Sequence, residues 1–244
     1  MLDKEELKNI DDIKSKYYMA PVLERLDALI SEKGYKEAMS YLHPTILDAR
    51  DDVMKIIHAR KEAGIIKDAS QASKTVVGAI FSNSIVYLFL KAKENNLVKP
   101  NVFITTKLGK FKDLVAIIVD GETQKPDMDL VLYGVNDDDS IKEMMIISLK
   151  TSLRERAGQT YKWKLLLEIA TSDNAIKAKY NISYPLKKTP IVCFATINFY
   201  NEINNPQHRG MFKFFDKSFI GKPIKANFID NLSNLIDFAN DRLA

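Results

Sequence analysis

Between Asp129 and Lys150 the chain commits itself to a pair of strands. The segments Asp129 to Gly134 and Glu143 to Lys150 are rich in Val, Leu, Ile and Met, and the polar stretch between them carries Asp137, Asp138 and Asp139. Apolar runs bounded by turn residues read as neighbouring strands of a hairpin. Side chains along a strand alternate between two faces. Asp127 and Asp129 therefore share one face, Met128, Leu130 and Leu132 the other, and Ser148 shares a face with Lys150. Met145, Ile146 and Ile147 are apolar in succession, the pattern of a central strand covered on both sides. With helices read before and after the strands, an α/β core is the expectation.

The rest of the chain supplies such helices. Residues 1–66 carry helical periodicity at Val22, Leu23, Leu26, Leu29 and Ile30, then at Ile46, Val53, Ile56 and Ile57, with breaks expected at Gly34, Pro44 and Gly64. Ser70 to Ser73 precede a long apolar helix over about 74–95, closed by Asn95-Asn96 and Lys99-Pro100. Strands are predicted at 102–106, 114–119, 129–134 and 143–150, a helix around 156–179, a buried strand from Pro190 to Tyr200 and a closing amphipathic helix from Ala226 to Leu243. No Pro/Gly/Ser-rich linker divides the 244 residues, of which 46% are apolar. One domain over 1–244 is expected, with 1–66 as a helical N-terminal subdomain and 67–244 as the catalytic and recognition core.

Two carboxylates facing a lysine across a hairpin point to metal-dependent hydrolysis of a phosphodiester. Hard oxygen ligands hold Mg²⁺, and an ammonium beside them orients water and offsets negative charge developing on the phosphate. Net charge is only +4, but between Leu149 and Lys188 nine Lys/Arg stand against three acids, a local excess suited to a phosphate polymer. The polar segment from Tyr200 to Gly210 reads as a loop whose Arg209 reaches DNA. Met211 to Phe215 read as core or interface aromatics. The Asp triplet reads as a solvated turn. Cys193, lying in an apolar run, reads as a small core residue, and His43, His58 and His208 lack the spacing of zinc ligands. There is no phosphate-binding glycine loop and no nucleophile elbow. With no apolar signal region at the start and no stretch read as long enough to span a membrane, a soluble cytoplasmic protein is expected.

Pro126-Asp127, an apolar strand, and a second strand ending in Ser148-Leu149-Lys150 together resemble the PD-(D/E)XK nuclease superfamily, with Ser148 where that pattern has Asp or Glu. The Ser-x-Lys variant, and the stretch Lys150-Thr151-Ser152-Leu153-Arg154-Glu155-Arg156, are similar to a branch of type II restriction endonucleases cutting CCGG-containing or related sites, the BsaWI-like enzymes in particular. That resemblance covers about forty-five residues. It implies a nuclease-like α/β core with a central mixed sheet flanked by helices and a helical N-terminal part, and Mg²⁺-dependent, site-specific hydrolysis of double-stranded DNA at a short GC-rich palindrome. It gives Asp129, supported by Asp127, the metal, Lys150 the water and the developing charge, and Ser148 the vacated carboxylate position. The missing carboxylate is then supplied from the next helix. Glu168 is the candidate, although it lies one helical turn, about 5–6 Å along the axis, beyond the branch's usual position; Glu155 is the other.

By the same resemblance Ser152, Arg154, Glu155 and Arg156 face the DNA. The two arginines suit guanine O6 and N7, and Glu155 suits cytosine N4. Core helices of this superfamily often present a glutamate where this chain has Asn83, which reads instead as a buried amide satisfied by hydrogen bonds. A palindromic target implies a homodimer, and a restriction system implies a cognate DNA methyltransferase. Two other readings fit the same residues: a degenerate nuclease fold that binds DNA without cutting it, and a structure-specific repair nuclease.

Overall fold

The computed structural model describes residues 2–126, 128–153, 157–186, 188–199 and 202–244, with only the backbone described at 157–159. Six helices come first: α1 (Lys4–Lys14), α2 (Ala20–Lys33), α3 (Tyr35–Met39), α4 (Leu42–Asp48), α5 (Arg50–Glu62) and α6 (Ala69–Glu94). Their ends follow from local chemistry. Asp3 and Glu6 form a reciprocal capping box at the start of α1. Gly34 closes α2 at φ +80°, a conformation that suits glycine. Pro44, expected to break a helix, lies within the first turn of α4, where its missing N–H has no intrahelical partner to lose. Asp68 caps α6, which starts five residues earlier than its apolar pattern suggests.

The remaining elements are β1 (Val102–Thr105), β2 (Ile117–Val119), β3 (Glu122–Gln124), β4 (Leu130–Val135), β5 (Ile141–Lys150), α7 (Ala157–Thr171), α8 (Ala175–Lys179), β6 (Ile182–Ser183), β7 (Ile191–Thr196), α9 (Pro206–Phe212), β8 (Lys217–Ile220), β9 (Asp230–Asn231) and α10 (Leu235–Leu243). The main sheet runs β1-β4-β5-β7-β8-β9, and β3-β2-β6 form a small second sheet. In the main sheet β1, β4 and β5 pair antiparallel, while β5, β7, β8 and β9 pair parallel. The protein is thus α/β, with a central mixed sheet flanked by helices.

The period of two sorts the sheet's side chains into two cores. Leu130, Leu132, Met145, Ile147, Cys193 and Ala195 pack with α1 to α6 and α10 in one continuous cluster. Val131, Met144, Ile146, Val192 and Phe194 pack on the other side with α7, α9 and the small sheet. The helical first quarter of the chain therefore shares its core with the sheet. Helix α6 is long and apolar enough to cross a membrane by length and composition, contrary to the sequence reading, but 67% of that window is buried within the protein, as expected for a helix apolar all round at the centre of a fold.

Several boundaries depart from expectation for local reasons. Residues Asp113–Val115 are a 3-10 turn, so the strand begins at Ile117. The helix expected over 156–179 is two, because the Asn174 side chain caps a new start by accepting from the Lys177 N–H. The segment expected as a loop holds α9, begun by Asn205 as cap and Pro206 as first residue. The closing helix starts only at Leu235, after the short strand β9. Met128 joins the α7-side cluster rather than that of Leu130 and Leu132, since it precedes β4 and escapes its alternation. Ser140 donates to Asp138 in the exposed turn between β4 and β5, where Asp139 has φ +63°.

Candidate active site

Register brings the site together. Leu130 pairs with Ile147, so Asp129, one residue before β4, comes opposite Ser148. Both lie on the α7 face, as does Lys150 at the end of β5. Asp129 Oδ2 accepts from Lys150 Nζ at 3.0 Å, from the Leu149 N–H at 2.8 Å and from Ser148 Oγ at 3.4 Å. Ser148 Oγ also meets Thr160 Oγ1 of α7 at 3.2 Å. The Ser148 hydroxyl is therefore buried between Asp129 and the helix. The Lys150 side chain is 12% exposed and that of Asp129 33%, so the pair sits at the mouth of the core rather than inside it.

Asp129 Oδ1 accepts no hydrogen bond among the described residues, leaving one hard oxygen available to a cation. No group of three His, Cys, Asp or Glu converges there among the described residues. A Mg²⁺ ion keeps several waters and takes one or two protein carboxylates together with substrate phosphates. That demand fits Asp129, with Asp127 two residues before it in sequence.

Glu168 is not brought to this cluster. Its carboxylate lies 3.5 Å from Lys164 Nζ, which itself donates to both oxygens of Asp216 at 3.0 and 2.9 Å. Asp216 Oδ2 in turn accepts from the Val192 N–H, near the start of β7, whereas Lys150 pairs with Thr196 at its end. From Thr160, the helix residue beside Ser148, Glu168 is eight residues on, about 12 Å along the axis. The helix position facing the site is thus occupied by a threonine. Asp127, Arg154, Glu155 and Arg156 lie outside the described residues.

Ser152 follows Lys150, but its hydroxyl is engaged inside the protein. Glu202 Oε2 accepts from Ser152 Oγ at 3.0 Å and from the Leu153 N–H at 2.7 Å. The Phe199 N–H donates to the Thr151 carbonyl at 3.0 Å, so the chain leaving β5 is tied at several points to the chain leaving β7. Glu202 and Thr160 are contacts the sequence reading passed over. Neither has a local signal, since each meets its partner only through the fold. Arg209 is exposed, but its guanidinium folds back to donate to the Asn204 carbonyl at 2.7 Å and lies 5.4 Å from the Phe228 ring.

The basic stretch is also thinner than its composition: Lys164 is buried against Asp216 and Lys188 pairs with Glu143 at 2.6 Å. Asn83 accepts from Lys16 Nζ and donates to the Tyr18 hydroxyl, a satisfied amide. Cys193 is fully buried, and burial pushes its thiol pKa up, which suits a core residue rather than a nucleophile.

Comparison with known proteins places this hairpin within a family match. The family model of BsaWI restriction endonuclease type 2 matches residues 107–241, which include Asp129, Ser148 and Lys150. A protein of Methanocaldococcus jannaschii bearing the name "Putative type II restriction enzyme MjaVIP" is 32% identical over 119 residues, 46% of this chain and 52% of that protein. The chain thus spans about half the length of that relative. With more than half of its own length matched by the family model, the chain belongs to the BsaWI family of type 2 restriction endonucleases.

Proposed function

We propose that this protein is a Mg²⁺-dependent type II restriction endonuclease of the PD-(D/E)XK kind, with the Ser-x-Lys variant of the motif, hydrolysing double-stranded DNA at a short GC-rich palindrome, CCGG-containing or related. The observation that carries the reading is the contact of Lys150 with Asp129 across the β4–β5 hairpin, inside the segment matched by the family model.

Asp129, with Asp127, holds the cation; when bound, Mg²⁺ supplies charge neutralisation and an acidified water. Lys150 orients the attacking water and offsets the charge growing on the phosphate oxygens. Ser148 keeps Asp129 and α7 in register. Water adds to phosphorus and the bond to the 3′ oxygen breaks, leaving 5′-phosphate and 3′-hydroxyl ends. Arg154 and Arg156 read the G·C pairs. The relocated carboxylate is either Glu168, whose side chain is engaged with Lys164 some two helical turns beyond Thr160, or Glu155; where Glu155 serves the metal, the two flanking arginines alone read the bases. A homodimer serves the palindrome, and a cognate methyltransferase protects the host's own sites.

The test is incubation of the purified protein with long unmethylated DNA, in Mg²⁺ and in EDTA, followed by sequencing of the fragment ends. Discrete Mg²⁺-dependent bands sharing one terminal sequence support the reading. Uncut DNA that is nevertheless bound specifically would favour a binding module, the alternative to which the single described carboxylate at the site lends weight. Cutting set by DNA structure regardless of sequence would favour a repair nuclease.

A further inference from the structure

A cleft of about 470 Å³ opens beside the Asp129–Lys150 site, lined among others by Asn198, Ile203, Lys222, Lys225, Asn227 and Phe228. Its place in the sheet ties it to the hairpin. Lys150 pairs with Thr196 and Thr196 with Ile220, so Asn198 and Lys222 each lie two residues beyond the strand ends next to Lys150. Neighbouring strands are about 4.8 Å apart, which sets the cleft roughly two strand spacings from the catalytic lysine along the same sheet edge. Its wall is also fastened to the catalytic strand: Glu202, which precedes the lining residue Ile203, holds Ser152 and Leu153 through its carboxylate and takes the Asn198 side-chain oxygen on its own N–H at 2.8 Å.

The chemistry of the lining selects a ligand. Two lysines are present and no carboxylate. The clefts next to Lys16 and next to Lys36 differ, since each contains an acid, Asp12 in the first and Glu37 and Asp237 in the second. A lining of lysines and side-chain amides that itself holds no carboxylate suits a phosphate diester.

We propose that this cleft holds a backbone phosphate of the DNA strand running past the cut, a contact that positions the duplex without reading its sequence. This rests on the restriction endonuclease reading. A phosphate held at a fixed distance from Lys150 sets the register in which the scissile bond meets Asp129.

Fluorescence anisotropy tests it, with the full chain and two labelled duplexes, one containing CCGG and one lacking it, titrated without divalent ions over about 50–200 mM salt. Lys225→Gln should lower the slope of log K against log salt by roughly one, and Lys222→Gln/Lys225→Gln by roughly two, equally on both duplexes. Unchanged thermal melting of the Lys225→Gln protein, whose side chain is exposed, separates this from a folding defect. A slope that stays at the wild-type value in both variants overturns the proposal. So does a loss confined to one duplex, which would make the cleft a base reader. A wild-type protein that binds neither duplex would bring down the endonuclease reading itself, a failure distinct from a variant that merely keeps its slope.

Discussion

Two lysine–carboxylate pairs in this molecule look alike and sit in opposite surroundings. Lys93 Nζ meets Glu6 at 2.6 Å with both side chains almost fully buried, at 2% and 4% exposure. It also donates to the Val102 carbonyl at 2.8 Å and lies 3.7 Å from the Phe103 ring centroid. Glu6 spends its second oxygen on the Asp3 N–H. Each polar group of this pair is consumed by the protein, so the pair fixes α1 and α6 against β1. Lys150 and Asp129 are joined at 3.0 Å, but at a partly open edge and, among the described residues, with an oxygen of Asp129 to spare. A sealed ion pair locks helices together; an open one can exchange partners with water, cation and phosphate. Saturation, rather than distance, separates the structural pair from the one proposed for chemistry.

The contrast is sharpest in stability. Lys93→Ala strands a buried Glu6 and should destabilise the fold by about 3–5 kcal/mol, read by chemical denaturation. A loss below about 1 kcal/mol would show that the pair is not sealed. Lys150→Ala should instead leave stability close to wild type and slow cleavage by at least about 10²–10³-fold, with DNA binding largely kept. Retained cutting would remove Lys150 from the chemistry. Gly134→Ala probes the sheet that carries the Asp129–Lys150 pair and against which the Lys93–Glu6 pair fixes its helices. A Cβ there would lie 1.8 Å from the Leu243 carbonyl oxygen, so α10 must shift, with an expected cost of about 1–3 kcal/mol. A variant as stable as wild type would mean that α10 moves freely.

The clamp at Glu202 gives a smaller effect. Glu202→Gln weakens a charge-assisted hydrogen bond to the Leu153 N–H by about 1 kcal/mol. As a positioning residue it should lower kcat and loosen discrimination between sites more than it lowers Tm; an equal fall in Tm alone would assign it to stability. The smallest effect is at Cys193, which should resist thiol reagents in the native protein and react only on unfolding. Fast native labelling would contradict its burial in the sheet.

What the sequence disclosed follows the range of its signals. The β4–β5 hairpin and the meeting of Asp129, Ser148 and Lys150 were legible, since alternation fixes faces and a short turn fixes register. The distance of Glu168 from Asp129 has the same root as that meeting. Helical period preserves a face, so Glu168 stays on the face of Thr160 and Lys164, but the length and path of the chain joining β5 to α7 decide how far along the helix the site falls, and no period encodes that. Strands β8 and β9 are four and two residues long, too short to announce themselves, and exist because parallel neighbours complete their hydrogen bonds. Glu202 reaches Leu153 from 49 residues away and was visible only as one polar residue in a polar stretch.

The brevity of the outer strands has a further consequence. The main sheet ends in β1, four residues long, and β9, two residues long, and the Val102 carbonyl of β1 already accepts from Lys93. Such edges are poor templates for another strand. Two copies closing around a palindrome would have to meet through helices or loops rather than by extending the sheet, and the same shortness guards the protein against edge-to-edge aggregation at high concentration.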